Sequence, residues 1–128
     1  MMILLRRIIL AVPVLALLAV FSAAAPVRAA DFLTLLDDVP VMPGFSEDTA
    51  AAVAFDTASG RIVTARIHGR GRPGVDLGAL LAFYGASLPA LGWRAESPTR
   101  FRRDGETLTL SVEAKDGLLT LAFDLRPE

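Results

Sequence analysis

Cysteine is missing from this chain altogether, as are asparagine and glutamine, and histidine, tryptophan and lysine each occur once. No disulfide framework, thiolate metal site or lipid-modified cysteine is therefore open to it. Without amide side chains it lacks the paired donor and acceptor groups that usually orient sugars, bases or peptides in a site. A single histidine leaves no histidine pair for a zinc centre. A large excess of either charge is missing too, with 13 basic and 14 acidic residues among 128.

What is present first is an export signal. Arg6 and Arg7 form a positive n-region, residues 8–25 an apolar stretch, and residues 25–30, APVRAA, a small-residue exit. Signal peptidase needs small side chains at −3 and −1, so cleavage after Ala29, with Val27 at −3, is preferred to cleavage after Ala30, with Arg28 there. The expected organisation is a cleaved signal peptide over residues 1–29 (1–30 in the alternative), an N-terminal arm over 30–50 and an α+β domain over 51–128. The protein would then be exported, to be periplasmic or extracellular after cleavage. An uncleaved anchor is the competing reading, because 18 apolar residues can span a bilayer. Pro13 and the alanine-rich end argue against it, and nothing around the arginine pair completes a twin-arginine motif.

Cleavage removes Arg6, Arg7 and Arg28 and no acid, which leaves ten basic residues against 14 acidic, a net charge of about −4. That does not suggest nucleic acid as a partner. The charge is unevenly spread. Residues 31–56 carry six acids and no base, residues 57–103 carry eight bases against Asp76 and Glu96, and residues 104–128 carry six acids against Lys115 and Arg126. At roughly a hundred residues the remaining chain is long enough to hold itself together by a core.

Phe32, Leu33, Leu35 and Leu36 suggest a short helical turn, and residues 40–44, PVMPG, an extended arm whose apolar side chains pack on the domain. Residues 51–67 read as a hairpin. A three-residue loop, Ala58-Ser59-Gly60, pairs Phe55 with Val63, Val53 with Ala65 and Ala51 with Ile67, all apolar. The register that sets Val53 opposite Thr64 and Ala51 opposite Arg66 is less favourable on that criterion. Residues 69–74, GRGRPG, form a flexible basic connection. Asp76 is then the N-cap of a helix whose stripe is Leu77, Leu80, Leu81, Tyr84 and Leu88, ended by Pro89 and Gly92.

The remainder is β. Two-residue loops at Asp104-Gly105 and Asp116-Gly117 set Phe101 against Leu108, Val112 against Leu121, Leu110 against Phe123 and Leu108 against Leu125. The expected fold is α+β, a single helix packed on one face of a mainly antiparallel sheet in the order β-β-α-β-β-β, with a sixth strand if Pro98 splits the first of the late group. The covered face would hold Val53, Phe55, Val63, Ala65, Ile67, Trp93, Phe101, Leu108, Leu110, Val112, Leu119, Leu121 and Phe123. The other would carry Thr64, Arg66, His68, Arg100, Arg102, Thr107, Thr109, Ser111, Glu113 and Thr120.

Residues 83–93, FYGASLPALGW, with VMPGF before them and FRRDGETLTL after, resemble small bacterial exported domains of unknown function that share the pattern FY-x3-LP-x-LGW. The resemblance implies a bacterial source, an envelope location and a compact α+β fold. It brings no catalytic residues.

No catalytic, cofactor or metal constellation stands out. His68 has Arg66 and Arg70 as neighbours and no adjacent carboxylate to orient it. Ser87 lacks the second glycine of a nucleophile elbow. The acid pairs Asp37-Asp38 and Glu47-Asp48 lack the alternation of a calcium loop. The set Arg66, His68, Arg70, Arg72, Arg100 and Arg102 is the candidate binding surface, since arginine forks suit carboxylates and phosphates. The expected function is a non-enzymatic envelope binding or interaction module for an anionic partner, and the alternative is a small hydrolase using a carboxylate with His68. No cofactor, metal or nucleic acid is expected, and membrane contact only through an uncleaved signal segment.

Overall fold

The computed structural model describes residues 31–128, so the expected signal segment and its expected cleavage point lie outside the described residues. The two Asp-Gly pairs act as expected. They join β5 (Arg100–Arg103), β6 (Glu106–Lys115) and β7 (Leu118–Pro127) through two-residue turns, with Phe101 opposite Leu108, Val112 opposite Leu121 and Leu108 opposite Leu125. Both central residues of each turn have positive φ, Asp104 at 50° and Gly105 at 75°, Asp116 at 52° and Gly117 at 76°. This is the mirror-image turn that matches the twist of the strands. Pro98 does split the preceding strand, so β4 (Arg94–Ser97) precedes β5.

The first hairpin departs from the expected register. β2 (Val53–Thr57) and β3 (Gly60–Arg70) pair Val53 with Thr64, Phe55 with Ile62 and Thr57 with Gly60, leaving a two-residue turn at Ala58-Ser59. The Thr57 hydroxyl fastens the turn by donating to the Gly60 carbonyl at 2.7 Å. Val53 and Phe55 consequently share a face with Ile62 and Thr64, and both are exposed. The expectation that they belong to the core is corrected. The shift of one residue from the apolar match turns both side chains to the face that carries Thr64.

A further short strand, β1 (Ser46–Glu47), shares the outer edge of β3 with β2. The spatial order is β1-β3-β7-β6-β5-β4, antiparallel throughout, so β7, last in the chain, lies between β3 and β6.

α1 (Leu77–Ala90) connects β3 to β4, from one side of the sheet to the other, with Leu80, Tyr84 and Leu88 fully buried. Asp76 caps it, its carboxylate accepting from the Ala79 N–H at 2.8 Å, which contributes about 1 kcal/mol. Pro89 falls inside the last turn of the helix instead of ending it. The exit itself explains the Leu-Pro-x-Leu-Gly-Trp pattern. Trp93 N–H donates to the Leu88 carbonyl at 3.1 Å and Gly92 N–H to that of Pro89 at 3.1 Å, with Gly92 at φ +94°. These are the two bonds of a Schellman ending, with glycine in the left-handed position and an apolar residue after it.

The arm is part of the core. Residues 32–40 form a pinched loop with a bridge between Phe32 and Pro40, where a short helical turn was expected. Leu33, Leu36, Val39, Val41 and Phe45 are buried in one cluster with the helix stripe and the sheet residues Ile67, Phe101, Leu108, Leu121, Phe123 and Leu125. Arg103 ties the layers together. Its guanidinium lies 4.1 Å over the buried Trp93 ring, donates to the Leu91 carbonyl at 3.1 Å and pairs with Asp38 of the arm.

Candidate functional site

Helix and arm cover one face of the sheet, and strand alternation sends the intervening side chains to the other. Thr64, Arg66, His68 and Arg70 of β3 point there, beside Thr120, Ala122 and Asp124 of β7, Thr107, Thr109, Ser111 and Glu113 of β6, and Arg100 and Arg102 of β5. Every residue expected on this face is on it.

The face holds two adjoining open depressions. One, of about 530 Å³, is lined by Asp48, Arg66, His68, Ser111, Glu113 and Thr120 among others. The next, of about 490 Å³, is lined by Arg100, Arg102, Thr107, Thr109, Asp124 and Arg126 among others, and shares Ser111 with the first. Of the six candidate residues, Arg66 and His68 are thus brought together, and Arg100 and Arg102 form a separate pair across the sheet. Arg70 stands at the end of β3 in a third depression with Glu113, Lys115 and Asp116. Arg72 lies off the face, in the tight bridge with Val75 and near Gly44.

Electrostatics separate them further. Arg102 Nε sits 2.7 Å from Glu96 Oε1 and 2.9 Å from Glu128 Oε1, at ion-pair distance from both without a well-directed hydrogen bond, and Arg100 Nε is 3.4 Å from the other Glu96 oxygen. Two carboxylates therefore offset these two guanidiniums, while Arg94, opposite Arg102, has no ion pair among the described residues. Arg126 is likewise held by Asp124 at 2.8 Å, a hydrogen bond that raises its pKa further above the usual arginine range. Arg66 is different. It is exposed, and among the described residues no carboxylate lies within ion-pair distance of it.

Asp48 and Glu128 are site residues that sequence reasoning placed elsewhere or passed over. Asp48 reaches the first depression because its N–H donates to the Arg66 carbonyl at 2.8 Å, continuing the pairing of β1. A two-residue strand leaves almost no sequence signal. Glu96 was within reach, since it shares parity with Arg94 and stands four residues before Arg100.

Among the described residues, no group of three or more His, Asp or Glu is arranged to hold a metal ion, and no helix is long and apolar enough to cross a membrane. No family model matches the chain, and neither a curated protein nor a solved structure matches it. The class that the fold defines is a cysteine-free α+β domain in which one helix and an arm cover a mainly antiparallel seven-stranded sheet.

Proposed function

We propose that the protein is a non-enzymatic binding module of the cell envelope that holds an anionic partner on its open sheet face, with Arg66 as the anchoring cation. The observation that carries this reading is the exposed Arg66 guanidinium, which no carboxylate among the described residues approaches to ion-pair distance although Asp48 and Glu113 line the same depression, with the hydroxyls of Ser111 and Thr120 beside it. A planar guanidinium with hydroxyls beside it suits a carboxylate or a phosphate. The depression is open, so it fits the acidic end of a larger ligand better than a whole small molecule. The envelope location rests on the N-terminal signal and on the resemblance carried by residues 83–93.

The test is co-sedimentation of the exported protein with phosphatidylglycerol vesicles and with isolated cell wall, and titration with polyglutamate, at low and high salt. Binding to at least one should weaken as the Debye length shrinks from about 10 Å at 0.1 M to about 3 Å at 1 M. Arg66→Glu should abolish it. If Arg66→Glu binds as the wild type does at low salt, the face is merely solvated.

One observation favours the alternative of a hydrolase using a carboxylate with His68, which is that His68 shares its depression with Asp48 and Glu113. The His68 ring is exposed, and among the described residues no hydrogen-bonded carboxylate orients it. Turnover of ester, peptide or glycoside substrates that disappears in His68→Ala and in Glu113→Gln would establish the hydrolase and displace the binding module.

A further inference from the structure

The two outer strands of the sheet are protected very differently. β4 carries Arg94 and Glu96, shifts register between Ala95 and Ser97, and is followed by Pro98, all of which keep a free edge from pairing. β2 has only Asp56. It pairs with β3 alone, all five of its residues are exposed, and Val53 and Phe55 stand 50% and 53% exposed. Its edge is also hydrogen-bonding. In the tight hairpin, Thr57 and Gly60 form the bonded pair that closes the turn, so Val53 and Phe55 direct their N–H and C=O groups to β3. Ala54 and Asp56, by alternation, direct theirs outward.

We propose that a second copy of this chain occupies that edge, antiparallel to β2 about a two-fold axis at Ala54. The strand is complementary to itself in this register. Ala54 exchanges both backbone hydrogen bonds with Ala54 of the second copy, Val53 lies opposite Phe55, Phe55 opposite Val53, and Asp56 opposite Ala52, so no like charges meet. Because Phe55 already lies opposite Ile62 and Val53 opposite Thr64, each seam becomes a row of Ile62, Phe55, Val53 and Thr64 across four strands. A one-residue slip would send these side chains to opposite faces. The two-fold axis is normal to the sheet, which places the open faces of both copies on the same side and the two Arg66 side chains within one surface. A five-residue seam is small beside most stable interfaces, so the association is concentration-dependent.

Sedimentation equilibrium of the exported protein tests this. The mass should rise from one chain towards two between about 1 μM and about 1 mM, the range in which weak associations of this kind are populated. Ala54→Pro removes the outward N–H without touching the ladder to β3, and Phe55→Glu brings a carboxylate into the apolar row. Each should weaken dimerisation at least about tenfold with an unchanged circular dichroism spectrum. If the proline variant fails to fold, Phe55→Glu, at an exposed position, still decides. A mass of one chain up to about 1 mM, or a dimer that persists in Phe55→Glu, overturns the proposal.

Discussion

The Tyr84 hydroxyl donates to the Pro40 carbonyl at 2.7 Å and accepts from the Met42 N–H at 3.2 Å, so a single phenol fastens the helix to the arm. The ring is fully buried, edge-on to Phe83 and Phe123 at centroid distances of 4.9 and 5.2 Å. Burial pushes its pKa well above the usual tyrosine value, and the Met42 N–H only partly opposes this.

Tyr84→Phe should therefore cost about 1–3 kcal/mol, because it leaves a carbonyl and an amide of the arm without their partner. The loss appears as a lower melting temperature. It also carries a pH signature. With the folded-state pKa above the unfolded value of about 10, the phenol's contribution is complete below that pH and is lost as pH rises beyond it. The wild type should lose stability more steeply than Tyr84→Phe above about pH 10 in chemical denaturation.

Gly69 is required for space. A Cβ there would stand 2.9 Å from the buried Phe45 ring of the arm. Gly69→Ala should cost about 1–3 kcal/mol through overpacking. At Gly105 nothing lies within 4 Å of such a Cβ, so Gly105→Val should cost roughly 1 kcal/mol through its φ of +75° alone. Equal melting temperatures for wild type and Gly69→Ala would mean that the arm does not press on β3 as described.

The open-face arginines should separate in stability measurements. Arg66→Glu, at an exposed position without an ion pair, should stay within about 0.5 kcal/mol of the wild type. Arg102→Glu sets a third carboxylate between Glu96 and Glu128 and should cost about 1 kcal/mol, less in high salt. Urea titrations of both variants at two salt concentrations check this.

Export with cleavage, as proposed, should leave Ala30 or Asp31 as the first residue, as the small-residue exit follows the apolar run only there. Intact-mass spectrometry decides it. Full-length chain in the membrane fraction would mean that the segment is retained.

The late hairpins could be read from residues alone because Asp-Gly fixes both the turn and the register, and apolar pairs then fall together. The helix was equally legible, from Asp76 to the Gly92 exit. The first hairpin misled because Val53 and Phe55 were assigned to the core for being apolar. The register observed is one residue away from the apolar match, and that single step turns both side chains onto the open face beside Ile62 and Thr64. The open face was legible in its membership and not in its charge, since the partners of Arg102 come from β4 and from the last residue of the chain. The depression that groups Asp48 with His68 depends on β1, which has no periodicity to detect.

The central position of β7 fixes when folding can begin. Until residues 118–127 have been synthesised, β3 has no neighbour on its inner side, and β6 can pair only with β5. Leu119, Leu121, Phe123 and Leu125 have then not yet joined the core either. The sheet accordingly cannot close before these residues are available, and the β3–β7 pairing that closes it joins residues far apart in the chain, a kind of contact that forms slowly. For the export proposed above, this order of strands keeps the polypeptide in the unfolded state that threading across a membrane requires until β7 is available.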